Sequence, residues 1–354
     1  MKSKLKSPES VYGLNFTKGE IEEAKEKGHL LSLDMELSNV CNLRCKYCYN
    51  TSGERLKNEL QLAEVIDIIN QAKDLGVRSI IIIGGGEPIL FNGLLEILTY
   101  LNKKGILSVL FTNGTMITRE IAEKLFENNV SVVMKLNSMN SKIQDFLAGK
   151  KGAYEMMMQG LQNLIKAGFP SRECRFGIET VICKQNIEEI PKMWVWSREN
   201  GYIPYFETIT YQGRAQKYNL NVSSQEIKEL FYKLLSIDER KFGLTWEPKP
   251  PIAGMSCKRH YYSCVVNSQG FVQPCVGIDI YVGNIRYKPL KTILRESTII
   301  NNLRNMDKNI KGSCKECSLK MDCYGCRGMA YHIYGDYFEA DPLCWNNPHR
   351  LRYV

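Results

Sequence analysis

The sequence predicts an α/β protein: a partial (β/α)6 barrel of the TIM type, followed by a cysteine-rich C-terminal domain. Apolar, strand-like runs alternate with helical patterns over residues 30–210, and the connections between them are short. This alternation favours a parallel sheet with right-handed crossovers, and six units are fewer than the eight of a closed barrel. The cysteine-rich part is indicated by eight of the 13 cysteines, which lie between Cys257 and Cys344.

The elements follow in a regular order after a short charged helix expected over residues 17–27. Strands are expected over residues 30–37, 78–83, 107–112, 130–136, 176–183 and 205–210. Helices are expected over residues 60–75, 94–104, 119–128, 141–148, 154–167 and 187–200. In parallel folds of this kind, ligands bind at the C-terminal ends of the strands.

The pattern changes after residue 210. A bridging helix is expected over residues 224–235, prolines then interrupt the pattern, and a small hairpin is expected over residues 265–273. We therefore divide the chain into an N-terminal extension (1–30), the barrel (31–212), a bridging helix and linker (213–256) and the cysteine-rich domain (257–354).

Charge and hydropathy narrow the class of protein. The net charge of +9 is spread along the chain, which favours a solvated basic surface over a nucleic-acid partner. No apolar run approaches the ~18 residues of a membrane span, and no signal peptide is indicated, so we expect a cytoplasmic protein without a membrane partner. Cysteines clustered in that compartment indicate metal binding or redox catalysis rather than disulfides.

The first cysteine motif is C-x3-C-x2-C, formed by Cys41, Cys45 and Cys48 directly after the first strand. A [4Fe–4S] cluster normally takes four thiolates, so three would leave one iron open to another molecule. A zinc site and reduced structural thiols are the alternatives.

The motif, Cys41-Asn-Leu-Arg-Cys45-Lys-Tyr-Cys48, resembles that of the radical S-adenosylmethionine superfamily. The resemblance implies a six-unit partial barrel and an open iron that binds the amino and carboxylate groups of S-adenosylmethionine. It also implies reductive cleavage to a 5′-deoxyadenosyl radical, which abstracts a hydrogen atom. An oxygen-sensitive enzyme and an external low-potential electron donor, flavodoxin- or ferredoxin-like, are expected.

A glycine-rich segment, Gly84-Gly-Gly-Glu-Pro88, ends the second strand and also resembles this superfamily. The resemblance implies that four of its residues hold the amino group of the cofactor: Gly85, Gly86, Glu87 and Pro88. Six more residues are candidates for the adenine, ribose and carboxylate of the cofactor, with a structural role at a strand end as the alternative: Tyr47, Asn113, Lys135, Asn137, Ser138 and Glu179.

The C-terminal cysteines resemble the SPASM extension of the superfamily, in which two auxiliary clusters interleave their ligands. The resemblance implies a first auxiliary cluster on Cys257, Cys264, Cys275 and Cys326, and a second on Cys314, Cys317, Cys323 and Cys344. Three [4Fe–4S] clusters are therefore expected in all. The spacing Cys323-x2-Cys326 is one residue shorter than in many relatives, which leaves this partition open, and a zinc ribbon is the alternative.

The motifs identify the cofactors more specifically than they identify the substrate. We expect modification of a peptide or protein by oxidation, crosslinking or epimerisation. A small-molecule dehydrogenase, epimerase or decarboxylase is the alternative, favoured by only 30 residues before the first strand, and a non-enzymatic iron–sulfur or zinc-binding protein is a distant third. Val276, where sulfatase-maturing relatives have aspartate, disfavours that activity. Catalytic or substrate-facing candidates, chosen by position, are Cys183, Glu207, Asp279, Arg214 and His260.

Overall fold

The computed structural model describes residue 6 and residues 9–348, in which nine strands form one sheet. The strands are β1 Ser32–Ser38, β2 Ser79–Gly85, β3 Leu107–Thr112, β4 Ser131–Lys135, β5 Phe176–Ile182, β6 Ile203–Thr208, β7 Val265–Val266, β8 Phe271–Gln273 and β9 Gly283–Asn284. Their order in the sheet is β6-β5-β4-β3-β2-β1-β7-β8-β9. Strands β1 to β6 pair in parallel, which confirms the predicted six-unit α/β architecture.

Helices follow the strands as the alternation predicts. Those of the extension, barrel and bridge are α1 Lys18–Lys27, α2 Leu62–Asp74, α3 Leu94–Lys103, α4 Arg119–Glu127, α5 Ser141–Ala148, α6 Ala153–Ala167, α7 Ile190–Glu199 and α8 Ser224–Ile237. The C-terminal part adds α9 Leu290–Glu296, α10 Thr298–Arg304, α11 Met306–Asn309, α12 Gly312–Lys315 and α13 Arg327–Tyr334. Single turns of 3₁₀ or π helix cover Pro88–Leu90, Gly213–Lys217, Asp238–Phe242 and Arg259–Tyr261. No helix in the described part of the chain is long and apolar enough to cross a membrane.

The predicted hairpin joins the barrel sheet. Strand β7 pairs in parallel with β1, with Asp34 opposite Val265, and β8 and β9 continue antiparallel from it. The cysteine-rich region and the barrel therefore share one sheet, and the loops that precede and follow the hairpin lie beside the barrel.

The two faces of β1 differ in character. Leu33, Met35 and Leu37 point to the outer face, where they pack in the large core beneath the helices. Asp34 and Glu36, which alternate with them, point to the concave inner face. The inner face therefore carries buried polar groups, which is the arrangement needed to line a site rather than a packed core.

The described part of the N-terminal extension closes the end of the barrel at which the parallel strands begin. Val11 is fully buried in the inner apolar cluster, and the Ser79 hydroxyl donates a 2.8 Å hydrogen bond to the Gly13 carbonyl at the start of β2. Residues 1–5, 7 and 8 of the predicted extension lie outside the described residues. Because this end is packed, the opposite end, where the parallel strands terminate, is the open one.

Candidate active site

A large cavity opens at the C-terminal ends of the parallel strands. The space between its walls, including the part open to solvent, is about 1260 Å³. The first cysteine motif, the glycine-rich segment and the ends of β3 to β6 all contribute to its walls. Both predicted motifs therefore border one shared cavity.

The three cysteines of the first motif lie on one wall, in a loop held from two sides. On one side, the backbone N–H groups of Arg44 and Lys46 donate to the carbonyls of Ala148 and Leu147 at the end of α5. Gly149 follows with φ +66°, and a Cβ there would lie 2.2 Å from the Arg44 carbonyl oxygen. The loop and the end of α5 thus fit only with glycine at position 149.

On the other side, Arg214 binds the loop through three hydrogen bonds. Its guanidinium donates to the Cys45 carbonyl at 2.8 Å and to the Ser52 carbonyl at 2.9 Å, and its backbone N–H donates to the Cys48 carbonyl at 2.9 Å. Although Arg214 borders the cavity, its Nε and one Nη donate to the loop. The side chain expected to face the substrate is thus placed to position the cysteines.

The thiols of this loop are suited to an iron cluster. Burial, with the nearby charges of the Cys48 and Cys41 thiolates, raises the pKa of Cys45 to about 12. Burial also raises the pKa of Cys41. Buried thiols such as Cys41 and Cys45 become thiolates together only when a cation compensates their charge, as iron does. No group of three His, Cys, Asp or Glu side chains among the described residues is arranged to hold a single metal ion.

The glycine-rich segment forms the adjoining wall. Gly86 donates its N–H to the Ser38 carbonyl at 2.6 Å, and a Cβ there would lie 1.9 Å from the Val40 carbonyl oxygen. Gly85 has φ +78°, in the left-handed region that favours glycine. Both residues line the cavity, whereas Pro88 begins the next 3₁₀ turn and is not part of the wall.

Glu87 ties the end of β2 to the end of β3. Its carboxylate accepts hydrogen bonds from the Thr112 hydroxyl at 2.6 Å and the Asn113 N–H at 2.7 Å. Burial raises the pKa of Glu87, and these donors oppose the rise. Glu87 and Asn113 both line the cavity, and their mutual contact fixes the shape of this wall.

Ionisable side chains from three neighbouring strands meet on the opposite wall. Lys135 of β4 forms an ion pair with Glu179 of β5, and its ammonium lies 5.4 Å from the centre of the Tyr47 ring. Burial, reinforced by the charge of Glu179, raises the pKa of Glu207 on β6 to about 8. Burial therefore favours the protonated form of this carboxyl group in the cavity.

A second cationic group, which was not predicted from the sequence, enters the cavity from the C-terminal part. Arg259 lines the wall beside Tyr205 and donates through one Nη to Asp34 at 2.8 Å. The two residues are 225 positions apart. The available signals were an aspartate inside the apolar strand β1 and an arginine two residues after Cys257.

Two of the predicted cofactor residues, Asn137 and Ser138, are fully buried and lie outside the cavity wall. The Asn137 Oδ1 accepts the Val181 N–H at 2.8 Å, and the Ser138 hydroxyl donates to Glu189 at 2.7 Å. These bonds shape the loop that leads from the end of β4, at Lys135, into α5.

Three predicted substrate-facing residues also lie away from the cavity wall. Cys183 is fully buried in an apolar cluster, and burial raises its pKa to about 11, so it is a neutral packed thiol. Asp279 is exposed on the surface. His260 is buried against the Tyr324 ring, and burial lowers its pKa to about 3. Of the substrate-facing candidates, Glu207 and Arg214 border the cavity.

The C-terminal cysteines form two groups. In one, burial raises the pKa of Cys326, with added contributions from the charges of Asp341, Cys275 and Cys257. Backbone N–H groups support two of these sulfurs, from Gly277 to Cys275 at 3.3 Å and from Met329 to Cys326 at 3.4 Å. Cys257, Cys275 and Cys326 thus lie within electrostatic range of one another, next to the cavity.

The other group is Cys314, Cys317, Cys323 and Cys344. Burial raises the pKa of Cys344 to about 12, and the charges of Asp341, Cys314 and Cys323 add to this effect. Burial also raises the pKa of Cys314, and the charge of Cys317 adds to that rise. The structure brings together the four residues that the resemblance assigns to the second auxiliary cluster.

Cys264 joins neither group. It is fully buried in the outer core, and the charged groups that affect its pKa are Arg304 and Asp34 rather than another cysteine. Burial raises its pKa to about 12. Cys264 was expected to be a ligand of the first auxiliary cluster. Of the eight C-terminal cysteines, it is the one whose placement in the structure differs from the expected assignment.

An open parallel barrel with a three-cysteine loop at its active end, joined to a second cysteine-rich region, defines an iron–sulfur enzyme class. Residues 35–194 match the family model of the radical SAM superfamily, and residues 257–318 match that of SPASM, an iron–sulfur cluster-binding domain. The chain belongs to the radical SAM superfamily and carries the SPASM extension, as the sequence predicts.

Three similar proteins cover nearly the whole chain. The AdoMet-dependent heme synthase of Methanosarcina barkeri is 31% identical, over 88% of this chain and 95% of the relative. The mycofactocin maturase MftC of Mycolicibacterium smegmatis is 26% identical, over 90% and 84%. The crystal structure of Streptococcus suis SuiB bound to S-adenosylmethionine has a TM-score of 0.73 at 20% identity, over 92% and 80%. The last comparison concerns the fold alone.

Proposed function

We propose that this enzyme oxidises a carboxylate-bearing tetrapyrrole of the heme-biosynthesis type by radical chemistry. The observation that carries the proposal is the 31% identity to a heme synthase, with 88% of this chain and 95% of the relative aligned. An alignment of this extent includes the barrel, the bridge and the cysteine-rich region together. The proposed substrate is therefore a small molecule, which was the alternative expected from the sequence, and not the peptide or protein that was expected first.

The cofactors proposed are S-adenosylmethionine and [4Fe–4S] clusters. When bound, a reduced cluster at Cys41, Cys45 and Cys48 supplies the 5′-deoxyadenosyl radical by cleaving S-adenosylmethionine. The chain's own part is to position these groups: Arg214 and the end of α5 hold the cysteine loop. A flavodoxin- or ferredoxin-like protein is proposed as the electron donor.

Two cavity residues suit a substrate with carboxylates. The Arg259 guanidinium uses one Nη for Asp34, and no other hydrogen bond of this side chain is present within the described residues. Its remaining N–H groups are therefore available to a substrate carboxylate, for which the planar guanidinium is well shaped. Glu207, whose protonated form is favoured by burial, is placed to donate a hydrogen bond to the same substrate.

The proposal is tested by binding and turnover under anaerobic conditions. The probe is Fe-coproporphyrin III, the tetrapyrrole in the name of a further similar protein, the Fe-coproporphyrin III synthase of Methanosarcina barkeri, which is 27% identical over 90% of this chain. Titration with this compound should shift its Soret band, and the compound should raise dithionite-driven 5′-deoxyadenosine formation at least ~10-fold. Arg259→Gln should weaken this binding ~10-fold or more, because a charged hydrogen bond contributes ~1.5–3 kcal/mol. Lys258→Gln, one residue away and paired on the surface with Asp322, is the control. No Soret shift and no stimulation would reject the tetrapyrrole substrate.

A peptide substrate is the second candidate. It is favoured by the 26% identity to the mycofactocin maturase, which also spans most of both chains. Adding peptides encoded beside the gene is its test: stimulation of 5′-deoxyadenosine formation by such a peptide, with none by the porphyrin, would replace the first proposal with the second.

A further inference from the structure

We propose that the first auxiliary cluster is held by three thiolates, those of Cys257, Cys275 and Cys326, and keeps one coordination position open towards the cavity for an anionic ligand. Cys264, the expected fourth ligand, is a packed core residue. This inference concerns the chain's own ligand set and does not depend on which substrate the enzyme oxidises.

The face of the sheet on which Cys264 lies is the first argument. Cys264 and Val266 pack in the outer core with Leu33 and Met35 of β1, whereas Val265, between them, packs on the inner face. Successive residues of a strand point to opposite faces. To turn Cys264 to the inner face, the pairing of β7 with β1 would have to shift by one residue. The same shift would move Val265 and Val266 to the opposite faces of the sheet.

The position of the other three cysteines is the second argument. Cys257 packs against the inner-face cluster that contains Val265, so it lies on the side of the sheet opposite to Cys264. The segments that carry Cys275 and Cys326 abut: a Cβ at Gly328 would lie 2.6 Å from the Gly277 carbonyl oxygen. Cys257 lies within electrostatic range of both Cys275 and Cys326, whereas no cysteine charge acts on Cys264.

The open position is expected to face the cavity, because the chain around these cysteines forms part of its wall. Val276 and Gly277, directly after Cys275, line the cavity, and so does Arg259, two residues after Cys257. Arg259 places a guanidinium beside the thiols, within electrostatic range of Cys257. A cation at this position favours an anionic donor atom, such as a carboxylate oxygen, as the fourth ligand.

The test uses reconstituted full-length protein in which Cys41, Cys45 and Cys48 are all alanine, so that the first cluster contributes neither iron nor an open position. This background should hold about eight irons. Adding Cys264→Ala should leave about eight, whereas adding Cys257→Ala should leave about four. Cys174→Ala, which removes a buried thiol outside every motif, is the matched control. Loss of about four irons from the Cys264 variant alone would overturn the proposal.

A second readout does not require Cys264 to be changed. Cyanide, a small anion that binds open iron sites, should alter the electron paramagnetic resonance spectrum of the reduced background protein. It should do so equally in the presence and absence of Cys264→Ala. An unchanged spectrum in the background protein would show that both auxiliary clusters are fully ligated, and would overturn the proposal even if the Cys264 variant failed to fold.

Discussion

Replacing Arg214 is the most direct test of how the cysteine loop is held in place. Arg214→Ala removes two hydrogen bonds from a charged group to the Cys45 and Ser52 carbonyls, at 2.8 and 2.9 Å. At ~1.5–3 kcal/mol for each bond to a charged group, the loop conformation loses about 3–6 kcal/mol relative to its alternatives. The backbone bond from residue 214 to Cys48 remains. Since ~1.4 kcal/mol is a factor of ten, the equilibrium constant between the binding-competent loop and its alternatives should fall by about 100-fold or more.

The assay is iron content after anaerobic reconstitution, together with equilibrium binding of S-adenosylmethionine. Arg214→Ala should lose about four irons and its S-adenosylmethionine binding, while the iron of the C-terminal region is retained. Lys217→Ala is the control, because Lys217 ends the same 3₁₀ turn with an exposed side chain. If Arg214→Ala kept a full iron complement and unchanged binding, Arg214 would not position the loop, and its expected role towards the substrate would regain support.

Three further predictions concern other parts of the site. Gly149→Ala should unfold at lower temperature than Gly243→Ala, because both glycines have φ near +65° but only the first would place a Cβ against a carbonyl oxygen; equal melting temperatures would refute this. Burial raises the pKa of Glu207 from 4.5 to about 8, so its stabilising contribution is full below pH ~4.5 and is lost as pH rises to ~8. Glu207→Gln should therefore flatten the pH dependence of thermal unfolding in that window, and an unchanged profile would contradict the raised pKa. Replacing all three cysteines of the first motif with alanine should abolish 5′-deoxyadenosine formation while about eight irons remain; surviving cleavage would disprove the site.

The features that were best predicted are those that depend on residues close to one another in the sequence. The parallel strands were recognisable because each is a short apolar run next to a helical pattern; β2, with four consecutive isoleucines, is buried on both faces as parallel strands are. Cys41, Cys45 and Cys48 were recognisable because their spacing is short. The glycine-rich segment ends β2, where parallel folds bind ligands.

The features that were missed depend on contacts between distant segments. Arg259 reaches Asp34 across 225 positions, and no local pattern indicates that pairing. The position of Arg214 after β6 indicated a cavity residue, but only the folded structure reveals that its donors bind the cysteine loop. For Cys264, counting cysteines was insufficient, because the face of the sheet on which a residue lies depends on the pairing of β7 with β1.

The central proposal is that this chain holds three iron–sulfur clusters and cleaves S-adenosylmethionine. The most direct test measures iron and sulfide after anaerobic reconstitution, beside dithionite-driven formation of 5′-deoxyadenosine. The account predicts about twelve irons, matching sulfide and 5′-deoxyadenosine. Zinc in place of iron, with no 5′-deoxyadenosine, would contradict it.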